Sequence, residues 1–170
     1  MASHPQVAYL SLGSNLGDRL EHLRQGCQAL AKLGSHIRAT SSVYETEPVD
    51  FAEQGWFLNC AVEVETTLPP LELLRAVQQI ERSQGRQREI PKGPRTLDID
   101  ILLYGDRTMQ EEQLMLPHPR MHERRFVLEP LREIAPALRI PRIEKTVEEL
   151  VAELADMAQV RLFRARPWLG

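Results

Sequence analysis

Six segments between Val7 and Tyr104 differ in hydrophobic period, and their order restricts the fold more than any other feature of the chain. Val7 to Leu12 reads as a strand that breaks at Gly13. Asp18 suits a helix N-cap, and Leu20, Leu23, Cys27 and Leu30 recur at helical spacing. This predicts an amphipathic helix over Arg19 to Leu33, stopped by Gly34. Alternation rich in β-branched residues predicts strands over Ile37 to Thr46 and Phe57 to Thr66. Pro69 and Pro70 suit a helix start, Leu73, Leu74, Val77 and Ile80 mark a buried stripe, and Gly85 closes it. Leu97 to Tyr104 follows as a further strand.

Strand, helix, strand, strand, helix, strand is the split βαβ order. The expected fold is therefore α+β: a ferredoxin-like βαββαβ antiparallel sheet with helices packed on one face, plus a short extra strand near Leu114–Leu116 and C-terminal helices. One of these helices is expected around His122 to Leu131. The last opens at Thr146, where Thr146 and Glu149 form a capping box, with Val147, Leu150, Val151 and Leu154 on its apolar side. A length of 170 residues fits one domain over 1–170. With 42% hydrophobic and 26% charged residues, the chain can bury a core. Residues 156–170, with the basic stretch "RLFRARPWLG", are expected to form a loosely attached tail.

A net charge of −3 argues against a dedicated nucleic-acid binder. A ferredoxin-like sheet can bind RNA through exposed aromatics and a basic surface. Here aromatics are only 5%, no RNP-type run is present and the pI is near 6.0. Cys27 and Cys60 match no CxxC or zinc pattern and read as buried thiols in a reducing compartment. The N-terminus "MASHPQ" lacks the pattern of a signal peptide, and no apolar run approaches the ~18 residues of a membrane span. The expectation is a cytoplasmic protein with no membrane partner.

The stretch "GPRTLDIDILLYGD" puts two carboxylates inside an otherwise apolar strand. Alternation points Asp98 and Asp100 to one face and Ile99 and Ile101 to the other. Two like charges ~7 Å apart on one face repel, so a cation belongs between them. Either Mg2+, which binds through one or two carboxylates plus substrate phosphates, or a nearby Arg meets that need. The preceding loop supplies the cations Arg86, Arg88, Lys92 and Arg95, interrupted by Pro91, Gly93 and Pro94. Cationic donors beside a metal-binding acid pair suit a nucleoside triphosphate. No GxxxxGK[ST] is present, which excludes a P-loop. The "GSNLG" turn reads as a plain strand-to-helix connection.

In this setting "GPRTLDIDILLYG" resembles the signature of the 6-hydroxymethyl-7,8-dihydropterin pyrophosphokinases. The resemblance extends over about residues 7 to 155, through "AYLSLGSNLGD", "SSVYETEP", "FLNCAVEVET", "IERSQGRQR", "LPHPRM" and "PLREIAP" in family order. It implies transfer of the terminal pyrophosphate of ATP to the pterin hydroxymethyl group, with release of AMP, in folate biosynthesis. It implies that Asp98 and Asp100 hold two Mg2+ ions, with Arg86 and Arg95 acting beside them in catalysis and phosphate binding. Gln78, Glu81, Arg88, Ile101, His118 and Arg124 match further nucleotide-site residues. For the pterin, the resemblance implies a stack between Phe57 and Phe126, with Asn59, Thr46 and the backbone at Pro48 and Val49 bonding its edge. The chain departs from the family pattern at Lys92, Gln113, Met115 and Pro119. Loops around Pro48–Gly55 and Gly85–Gly93 are expected to close over the substrates. An inactive relative kept for regulation is disfavoured by the intact Arg95, Asp98 and Asp100. The expected partners are small molecules, and the expected state is a monomer.

Overall fold

Long apolar alternation makes β1 (Gln6–Ser14) and β4 (Phe57–Thr66) the middle of the sheet, buried on both faces over most of their length. The computed structural model describes residues 4–33, 36–48, 55–85 and 96–169. Its main sheet runs β5 (Asp98–Tyr104), β1, β4, β3 (Val43–Thr46), β8 (Val160–Arg164), with β2 (His36–Thr40) also on β4. Every pairing in it is antiparallel, as expected. The strand anticipated over Ile37 to Thr46 is divided at Ser41 and Ser42. Ser41 N donates to Ala61 O at 2.9 Å while Ala61 N donates to Ser41 Oγ at 2.8 Å. A hydroxyl thus takes the place of a ladder carbonyl, and the edge bends without leaving a backbone donor unmet.

One face is covered by α1 (Arg19–Ala31) and α2 (Pro70–Ser83). Leu23, Cys27 and Leu30 of α1 and Leu73, Val77 and Ile80 of α2 pack on Leu10, Leu12, Cys60, Val62, Ile99 and Ile101. Asp18 caps α1 by accepting from Glu21 N at 3.2 Å. Gly85 (φ +80°) follows α2, a backbone that glycine adopts at least cost. Gly34 lies outside the described residues.

Helices on one face alone is too simple an expectation. A 3-10 turn (Met121–Glu123), α3 (Arg125–Ile134) and α4 (Val147–Ala152) cover part of the second face. There Met121, Val127, Leu128, Leu131 and Val151 pack with Ala61, Leu102 and Leu103. Consecutive residues reach one face because β5 carries a bulge: Leu10 pairs with Ile101 but Tyr9 with Leu103. The helix expected from His122 is broken at Arg124, which is extended (φ −117°, ψ 113°). The capping box of Thr146 and Glu149 is present at α4. The strand near Leu114–Leu116 is β7 (Met115–Leu116), paired with β6 (Met109–Gln110). No helix among the described residues is long and apolar enough to cross a membrane. Cys27 and Cys60 are both buried, unbridged thiols.

The basic C-terminus is not a loose tail. β8 pairs with β3, and Trp168 is 5% exposed within the first core. The Arg-Leu-Phe-Arg run concealed a strand because its apolar residues sit on an edge, where no second sheet neighbour buries them.

Glu133 on α3 ties the second face to the Ser41–Ser42 break. It accepts from Ser42 N at 2.9 Å, Ser42 Oγ at 2.8 Å and Tyr44 OH at 2.7 Å, and Arg166 lies 3.0 Å away. Burial pushes its pKa up, but the bonds from Tyr44 and Ser42 and the Arg166 charge outweigh it and hold the carboxyl below its ordinary 4.5. A depressed pKa contributes stability that is complete above the unfolded value and is lost as pH falls through the folded one. Melting temperatures measured from pH 7 to pH 2 should therefore fall less steeply below pH 4.5 in Glu133→Gln than in the parent. Parallel curves would contradict this account.

Candidate active site

Beyond the part that the second helical layer covers, strand register fixes which side chains share the second face. Directly paired residues share a face. Asp98 lies opposite Gly13, Gly13 opposite Asn59, and Asn59 opposite Tyr44. The adjoining row joins Asp100, Ser11 and Ala61. On the other side Phe57 lies opposite Thr46. Thr46, Phe57, Asn59, Asp98 and Asp100, separated in sequence, therefore lie on one continuous surface. Ile99 and Ile101 are 5% and 3% exposed and turn into the first core, so the alternation expected of this strand holds. Ile101 offers a ligand only its backbone.

Asn59 is buried and fixed. Its Oδ1 accepts from Thr46 Oγ1 at 2.5 Å, and its Nδ2 lies 3.5 Å from Leu12 O. It lies flat because residue 13 has no side chain: a Cβ there would be 2.6 Å from Asn59 Nδ2 and 3.5 Å from Phe57 Cδ2. Sequence reasoning passed over this glycine as the end of a strand. The signal was a glycine within an apolar alternation, which marks a close approach.

Glu81, expected at the nucleotide, is 3% exposed and accepts from Ile99 N at 2.8 Å. It secures the backbone between the two aspartates from the helical face. Gln78, one turn earlier on α2, is half-buried. His118 donates its backbone N–H to Leu102 O at 2.9 Å, along the outer edge of β5. Burial, then the Arg124 charge, lowers its pKa to about 4, against the opposing pull of Asp98. The ring is neutral at pH 7, and since Nδ1 accepts from Arg120 N at 3.2 Å, its proton sits on Nε2 as a donor. Arg124 lies 5.6 Å over the Phe126 ring, and among the described residues its Nε has no hydrogen-bond partner. Thr96 Oγ1, two residues before Asp98, is likewise unmet. Donors around two acids fit a ligand that carries anionic oxygens and brings its own cation. Arg86, Arg88, Arg95 and Val49 fall outside the described residues; Pro48 directly follows β3 and Glu47.

Among the described residues no group of three or more His, Cys, Asp and Glu side chains could hold a metal. Two carboxylates on one face do fit Mg2+, which takes its remaining ligands from phosphate and water.

Residues 9–136 match the family model described as 7,8-dihydro-6-hydroxymethylpterin-pyrophosphokinase. The chain is 47% identical over 164 residues to the 2-amino-4-hydroxy-6-hydroxymethyldihydropteridine pyrophosphokinase of Bacillus subtilis (strain 168), covering 94% of this chain and 92% of that one. It is 43% identical over 157 residues to the protein of the same name from Haemophilus influenzae, covering 92% and 98%. Among solved structures, wild-type Plasmodium falciparum HPPK-DHPS with pterin and p-hydroxybenzoate superimposes with a TM-score of 0.69 at 18% identity, over 90% of this chain and 42% of that one. At that identity the likeness concerns the fold.

Proposed function

The chain belongs to the 7,8-dihydro-6-hydroxymethylpterin-pyrophosphokinase family, and from that premise we propose how the second face of its sheet divides between two substrates. The activity is transfer of pyrophosphate from ATP to 6-hydroxymethyl-7,8-dihydropterin in folate biosynthesis. One observation carries the division: Asp98 and Asn59 flank Gly13 in a single cross-strand row. Two strand spacings are roughly 10 Å, a span that suits a pterin at one end and a triphosphate at the other.

In this reading Phe57 and Phe126 stack on the pterin, and Asn59, Thr46 and the backbone at Pro48 and Val49 bond its edge. A fixed, buried amide rejects rings that lack the matching groups. Gln78, Arg86, Arg88, Arg95, Ile101, His118 and Arg124 meet the nucleotide, with Glu81 steadying the strand beneath it. Asp98 and Asp100 hold two Mg2+ ions, which neutralise phosphate charge when bound. The chain's own part is to hold the hydroxymethyl oxygen in line with the β-phosphorus and to exclude water. In the same reading Asp100 eases loss of the hydroxyl proton. In this reading the enzyme acts as a single-domain monomer on small molecules in the cytoplasm.

Incubation with ATP, Mg2+ and 6-hydroxymethyl-7,8-dihydropterin tests the reaction. AMP is the expected nucleotide product. ADP would mean transfer of a single phosphoryl group, and formation of neither nucleotide would overturn the assignment. Omission of Mg2+ with chelation should stop AMP release; unchanged release would remove the metal from the reading.

A further inference from the structure

β8 and the residues after it lie beyond the segment 9–136 that matches the family model, yet they are tied to β3 along its whole outer edge. Glu47 N donates to Gln159 O at 3.0 Å, and Gln159 N donates to Glu47 Oε1 at 3.1 Å. Arg161 donates from Nη2 and Nε to Glu45 Oε1 at 2.7 and 3.1 Å, and its guanidinium lies 4.7 Å over the Trp56 ring. The other oxygen of Glu45 accepts from Arg19 Nη1 at 2.9 Å, which also donates to Trp56 O at 2.9 Å. At the far end the Trp168 indole N–H donates to Ser41 O at 2.8 Å, and its carbonyl accepts from Arg24 Nη2 at 3.2 Å. These bonds reach from Ser41 to Glu47 and anchor the strap to α1.

Their position matters more than their number. Glu45 precedes Thr46, and Trp56 precedes Phe57. Arg161, Glu45 and Arg19 therefore join the two chain ends that flank residues 49–54. Without them, Thr46 and Phe57 would be held together by the end of a single strand pair, where fraying is easiest.

We propose that the C-terminal strap, through Arg161 and Trp168, is a positioning element of the pterin end of the site. It sets the spacing of Thr46 and Phe57 without touching the substrate. The inference rests on the assignment of Thr46, Phe57 and Asn59 to the pterin.

The full-length enzyme with Arg161→Ala, Arg161→Lys or Trp168→Phe tests it, with Asn59→Ala as reference. Pterin affinity is measured by titration calorimetry in the presence of a non-hydrolysable ATP analogue, and analogue affinity is measured alone. Arg161 is half-exposed or more, and Trp168→Phe keeps a ring in the core, so both variants should fold. Arg161→Ala should weaken pterin binding about 3- to 10-fold, the scale of one charge-assisted contact and one cation–π contact. Trp168→Phe should act in the same direction, Arg161→Lys should recover part of the loss, and analogue affinity should stay unchanged. If Asn59→Ala weakens the pterin but neither strap variant does, or if the strap variants weaken both ligands equally, the strap has no positioning role. If Asn59→Ala itself changes nothing, the pterin assignment is wrong and the inference falls with it.

Discussion

Asp98→Ala and Asp100→Ala should each lower turnover by about a thousandfold or more, the upper range for removal of one electrostatic stabiliser of a transition state. The fold should survive both. The two side chains are half-buried on the edge strand of the sheet, outside the apolar core. Their apolar counterparts Ile99 and Ile101 are what tie β5 to the core. Asparagine separates the charge from the shape. Asp98→Asn and Asp100→Asn keep an oxygen in the same place, so ordinary hydrogen bonds persist while the charge that holds a divalent ion is lost. If charge is what matters, the Asn variants fail nearly as badly as the Ala variants. AMP release with saturating ATP and Mg2+, read beside the melting temperature of each variant, decides this. Near-parental rates in both Ala variants would refute the metal assignment, and loss of folding in the Asn variants would make the acids structural.

How much of this was legible in the sequence depends on the distance over which a residue's environment is set. β4 and the start of α4 are local matters of alternation and capping, and their predicted limits agree with the structure. Asp98 and Asp100 were also legible, since strand alternation alone assigns them a face. The split at Ser41 and Ser42 was not, because it depends on a hydroxyl meeting Ala61 across the sheet. The C-terminal helices were expected, but their place on the second face was not legible, because a bulge turns both Leu102 and Leu103 toward them and no period of two announces that. The C-terminal strap was hidden for a related reason. Arg161 and Arg166 look like a solvated charge run until Glu45 and Glu133, far away in sequence, are set opposite them. Family motifs named Asn59 and Phe57 but not the glycine beneath them, because Gly13 acts through what it lacks.

That glycine gives the sharpest test of the pterin end. In Gly13→Ala the new methyl would fall 2.6 Å from Asn59 Nδ2. β1 cannot yield, being paired with β4 on one side and β5 on the other. The amide must move instead, and it can do so only by giving up Thr46 Oγ1 and Leu12 O. Pterin affinity should fall about 100-fold, the scale of a misplaced buried hydrogen-bonding group. Crowding and the loss of those buried bonds should together cost about 3 kcal/mol and lower the melting temperature by some 6–12 °C. ATP-analogue affinity should hold, since Gly13 contributes no side chain to that end. A double-mutant cycle isolates the cause. In an Asn59→Ala background the methyl meets no amide, so Gly13→Ala should add almost nothing to the loss already present. Full additivity of the two losses would mean that residue 13 acts on the pterin by some route other than Asn59.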